Sequence, residues 1–163
     1  MINKQRMEDC RIRTLILILL FLPLVASCAT PRKSELDAEV RRLCAIDGGI
    51  KVYETVKLLA EKFNKWGQIN FYRPTQGENA LGPEYIYKWE KHFYKRGEIE
   101  EAAMWRDHIQ IIRRSDEKLL GESISYSRRG GDIPGPWHPS SFSCPSITQP
   151  GLETSIFLKE DEK

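Results

Sequence analysis

"EYIYKWEKHFYKR" spans Glu84–Arg96, and its reading decides the fold. Tyr85, Tyr87, Trp89 and Phe93 fall on one side of a two-residue repeat, with Ile86, Lys88, Glu90 and His92 on the other. A helix would scatter these residues around its circumference, whereas an extended chain sends alternate side chains to opposite faces. The stretch therefore reads as a long, half-buried strand. Downstream, "LLGESISYSRR" (Leu119–Arg129) repeats the alternation with Leu120, Ile124 and Tyr126, and the polar turn "SDEK" precedes it. The segment before that turn carries two patterns. Ile99, Ala102 and Ala103 suit a helical turn, while Trp105, Ile109 and Ile111 suit a strand, so 98–108 stays divided between helix and strand. We take a loop or short helix to about Ala103 and a strand to Arg114, which makes a hairpin with Leu119–Arg129.

Working outward, "IKVYETVKL" (Ile50–Leu58) is β-branched and alternating, and "QINFYRP" is a short strand halted by Pro74. "LAEKFNKWG" between them is one helical turn or an irregular loop. Ser34 is a candidate N-cap, followed by Glu35 and Asp37 in a first turn whose dipole favours acids. Leu36, Val40, Leu43 and Cys44 then recur at helical spacing until Gly48-Gly49. From Gly130 to Gly151 the chain turns Pro-, Gly- and Ser-rich without period, and residues 155–163 read as a flexible tail. The expectation is an α+β domain over residues 35–154. One N-terminal helix packs on an antiparallel sheet of four or five strands, with a Pro/Gly/Ser-rich C-terminal loop.

The first 27 residues have another character. Lys4, Arg6, Arg11 and Arg13 precede an apolar run from Leu15 to Ala26. Those twelve residues would rise only about 18 Å as a helix, short of the roughly 30 Å core of a bilayer. A basic start, a short apolar middle and small residues at the end make a signal peptide, residues 1–27. The ending Val25-Ala26-Ser27-Cys28 resembles the lipobox of bacterial lipoproteins. The resemblance implies cleavage before Cys28 and a diacylglycerol on its thiol, leaving 28–34 as lipidated cysteine and short tether. With buried methylenes at about 0.8 kcal/mol each, two or three acyl chains hold a domain firmly on a membrane. Ala29 rather than aspartate after the cysteine implies, by the sorting rule of such lipoproteins, the outer membrane with the domain facing the periplasm. A cut after Ala29 also satisfies the small-x-small rule and would release an unanchored protein.

Removing the leader changes the charge balance. The chain has 25 Lys and Arg against 23 Asp and Glu; the leader takes four of the first and two of the second, leaving 21 of each. A neutral domain without a basic block argues against nucleic acid as a partner. With Cys10 in the leader and Cys28 on lipid, Cys44 and Cys144 remain, and two thiols in an oxidising periplasm pair. Closing so long a loop stabilises the fold by up to about 4–5 kcal/mol in the chain-entropy account.

Site candidates are few. His92, His108 and His138 lack the spacing of a metal site, and no cofactor other than the lipid is implied. Asp107-His108 with Ser123, Ser125 and Ser127 invites a hydrolase reading, but no nucleophile elbow occurs and a strand sends Asp107 and His108 to opposite faces. Alternating serines on an exposed sheet face are the simpler account. The Tyr85, Tyr87, Trp89 stripe is expected to be the core side of its strand, although such a stripe also stacks sugars or bases. Trp137 and His138, on a proline-rich loop, are recognition candidates. Arg128 and Arg129 are candidates for a carboxylate or phosphate. The leading expectation is a non-enzymatic binding or scaffolding domain, its partner an envelope protein or a cell-wall component. The alternative is a small envelope hydrolase using His108 or His138 with a nearby carboxylate.

Overall fold

A computed structural model describes residues 31–97, 101–132, 135–136, 138–146 and 151–160. In chain order they form helix α1 (Pro31–Asp47), strands β1 (Gly49–Val52), β2 (Val56–Leu58), β3 (Tyr85–Lys95), β4 (Ala103–Arg113), β5 (Lys118–Arg129) and β6 (Ser141–Cys144), the short helix α2 (Leu152–Ile156) and strand β7 (Phe157–Lys159). Short 3-10 turns occupy Ala60–Lys62 and Pro74–Asn79. The fold is mixed, with few helices and an antiparallel sheet of five strands.

The three long strands form the sheet's body in the order β3-β4-β5. The outer edge of β5 is shared end to end, with β1 pairing Gly121–Ile124 and β6 pairing Tyr126–Arg129. This works because Gly49, at φ 121°, lets the chain reverse out of α1 directly into β1. The strands β2 and β7 make a separate parallel pair.

Alternation divides the sheet into two faces. On one, Met104 from β4 and Ile124 and Tyr126 from β5 are buried beneath Val40 and Cys44 of α1. Cys44 bonds to Cys144 of β6 across 100 residues, stapling the helix to the sheet edge. On the other face, a second core gathers Tyr85, Ile111 and Leu120 with Leu152 and Ile156 of α2 and Phe157 of β7. Ile69 and Leu81 from the long β2–β3 connection complete it. This second core covers only the end of that face nearest the β4–β5 turn.

Several expectations require correction. Ile50–Leu58 is not one strand: the Tyr53 and Glu54 amides both donate to Leu120 O as the chain leaves the sheet, and β2 pairs elsewhere. Residues 68–74 form no strand. Ile69 makes a single bridge with Phe63, and the Asn70 amide instead donates to Lys62 O. The stretch from 130 to 151 contains β6, held by β5 and the disulfide. Residues 31–34, assigned to the tether, are the first turn of α1. The tail is ordered through Lys159, because Ile156 and Phe157 are buried in the core.

Candidate functional site

The open part of the second face is built by register. On β5, Ser123, Ser125 and Ser127 point to it, and opposite them on β4 stand Ile109, Asp107 and Trp105. Opposite those on β3 stand Trp89, Lys91 and Phe93. Ser143 of β6 extends the serine row, its Oγ 3.0 Å from Ser127 Oγ. The serines, Asp107, Trp105 and Ile109 are all half-exposed, whereas their sequence neighbours Ile124, Tyr126 and Arg128 are buried. A cleft of about 400 Å³ runs along the row. Its far wall is Tyr72, Tyr87, Leu152 and Glu153.

Asp107 organises this face. The Trp89 indole N–H donates to its Oδ1 at 2.9 Å and the Trp105 indole N–H to its Oδ2 at 2.8 Å. Lys91 Nζ lies 3.5 Å from the same carboxylate and over both indoles, 5.3 Å and 4.9 Å from their ring centroids. Two tryptophans, a carboxylate and an ammonium are thus fixed on adjacent strands, and charge-assisted contacts of this kind hold ring planes in place. At the cleft wall, burial and a hydrogen bond with Tyr72 raise the Tyr87 phenol above its usual range, so it stays a neutral donor.

The opposite face carries the histidine. His108 Nε2 sits 2.8 Å from Glu122 Oε2, while the Tyr53 hydroxyl donates to Glu122 Oε1 at 2.6 Å. These two bonds, Tyr53 first, hold the Glu122 carboxyl below its ordinary value. The sheet therefore separates the sets: acid and serines on one side, His108 and Glu122 on the other. A serine hydrolase needs nucleophile and base within hydrogen-bond reach, and here the strand backbone stands between them.

The remaining candidates divide. Cys44 and Cys144 come together as a disulfide. Arg128 is 2% exposed and does not face a ligand. Its Nε and Nη2 donate to Asp37, and its Nη1 to Gly130 O, Ser140 O and Ser140 Oγ. The arginine pair is corrected accordingly, since only Arg129 is exposed. His138 is exposed on its loop. Cys28 and Trp137 lie outside the described residues. The aromatic stripe of β3 is not simply a core side. Tyr85 is buried, Tyr87 half-buried and Trp89 59% exposed, as the second core ends partway along the strand. Sequence reasoning placed the serines on an exposed face but missed Asp107 as the anchor of Trp89 and Trp105. The register Trp89–Ile109 and Lys91–Asp107 that joins them exists only once the strands pair. Among the described residues, no group of three or more His, Cys, Asp or Glu is placed to hold a metal ion. Nor is any described helix long and apolar enough to cross a membrane. No protein-family model, curated protein or solved structure matches the chain.

Proposed function

We propose that this chain is a lipid-anchored lipoprotein of the bacterial cell envelope whose folded domain binds a cell-wall component. In this reading Cys28 carries the anchor, the outer membrane holds it, and the domain faces the periplasm. The sequence Val25-Ala26-Ser27-Cys28 after a short apolar run supports the anchor. The observation that carries the binding role is the half-exposed face of Ser123, Ser125, Ser127, Asp107, Trp89 and Lys91, which is polar, aromatic and preformed. Catalysis by His108 has its carboxylate in Glu122, but the serines lie on the other side of the sheet.

Two measurements test the reading together. Metabolic labelling with a radiolabelled fatty acid should mark the native protein and not Cys28→Ala, which should leave the membrane fraction. The native protein should also co-sediment with purified cell-wall sacculi. Membrane retention of Cys28→Ala would refute the anchor, and absence from the sacculus pellet would refute the binding role.

A further inference from the structure

We infer that the ligand taken by the serine–tryptophan face is a saccharide chain, a deepening that rests on reading the domain as a binding module. A pyranose ring presents an apolar C–H face and a rim of hydroxyl groups. The sheet supplies a counterpart to each. Trp89, 59% exposed and fixed through its indole N–H to Asp107, offers a flat platform for the C–H face. Ser123, Ser125, Ser127 and Ser143 line the adjoining cleft with hydroxyls that both donate and accept. Lys91 stands beside the platform on the same strand, over the β4 residue Asp107, as a charged donor for ring hydroxyls or a sugar carboxylate.

Other ligand chemistries fit less well. A nucleic acid or other polyanion needs clustered cations, and the cations described on the open part of this face are two, Lys91 held beside the Asp107 carboxylate and Arg96 over the Phe93 ring. A lipid chain needs an apolar pocket throughout, whereas this cleft sets serines and Glu153 among Ile50, Ile109 and Leu152, the mixed lining that a ring with one apolar face and a hydroxyl rim requires. A peptide adding to a sheet uses an unpaired edge, whereas the outer edge of β5 beside the serine row is already taken by β1 and β6, and the free edge of β3 lies two strands away from that row. Asp107 has both oxygens engaged by indoles, so it positions the platform and leaves direct contact to Trp89, Lys91 and the hydroxyls.

The test uses the full-length protein purified in detergent, titrated calorimetrically with β-1,4-linked N-acetylglucosamine oligomers and, separately, with a soluble cell-wall peptide. The oligomers should bind and the peptide should not. Trp89→Ala should weaken oligomer binding by about tenfold or more. Trp89→Phe should recover part of it, and Ser125→Ala should weaken it to a smaller degree. Lys88→Ala, on the opposite face of the same strand, should bind as the native protein does. Circular dichroism establishes that each variant is folded. If the peptide binds and the oligomers do not, the saccharide inference falls while the binding role stands. If Trp89→Ala remains folded and binds oligomers normally, the assignment of the face falls. If neither probe binds and sacculi are not retained, both readings fall.

Discussion

Removing the buried guanidinium of Arg128 takes from Asp37 its ion-pair partner and from the Gly130 carbonyl a hydrogen-bond donor, while the Ser140 carbonyl and hydroxyl each lose one of their two partners. Breaking a buried ion pair by deleting one partner costs about 3–5 kcal/mol. Arg128→Ala is therefore expected to lower the unfolding free energy by that amount in urea titration. Arg128→Lys should recover little of it, because an ammonium cannot serve the same fork of acceptors. Asp132 is the companion residue. Lys33, the Ser140 amide and the Ser140 hydroxyl pull its carboxyl down to about 2. A depressed native value means the contribution is present in full above the unfolded value near 3.8 and is lost as pH falls through about 2. Between those values the native protein should lose stability more steeply than Asp132→Asn. Equal slopes in acid unfolding curves would remove Asp132 from the account.

At the scale of elements, β3 and β5 were legible because alternation over eleven or twelve residues is hard to mistake, whereas the first half of β4 carried helical and strand spacings together and was decided by its pairing with both neighbours. The short strands were not legible. Those at Val56–Leu58, Ser141–Cys144 and Phe157–Lys159 span three or four residues, and their partners decide them. The C-terminal element did leave a trace, since Leu152 and Ile156 share a helical spacing and both enter the core. Gly121 records the closeness of that docking: a Cβ there would lie 2.8 Å from Lys51 O and 3.0 Å from Ile156 Cδ1. Gly121→Ala should drive its methyl against the Lys51 carbonyl of β1 and the end of Ile156, and lower the unfolding free energy in urea titration by about 1–3 kcal/mol, the usual range for overpacking. The disulfide acts at this scale too, joining α1 to the strand whose Ser143 lines the cleft. Cys44→Ser with Cys144→Ser should cost about 2–5 kcal/mol in denaturant unfolding. An unchanged midpoint would mean that hydrophobic packing alone holds α1.

On the whole-molecule scale, the direction of α1 combines with the proposed anchor to orient the domain. Helix α1 begins at Pro31, and three residues of extended chain reach at most about 11 Å from Cys28. The start of the helix is tied to the C-terminal end of β5, through Lys33 with Asp132 and Asp37 with Arg128. That end of the sheet, with Arg129 and Gly130, must then lie beside the bilayer. The β4–β5 turn around Glu117 lies at the other end of a twelve-residue strand, roughly 40 Å away at 3.4 Å per residue. The serine row begins at Ser127, two residues from Arg129, and rises to the middle of β5 at Ser123, so a ligand would meet it alongside the strands on the half of the sheet nearer the bilayer. A fluorophore attached at position 117 in the lipidated protein on vesicles should be nearly insensitive to nitroxide-bearing lipids, while one at position 129 should be strongly quenched. Equal quenching at both positions would mean the domain lies flat. The strands would then run parallel to the membrane, and the proposed glycan would have to approach over the bilayer surface rather than from the periplasm beyond it.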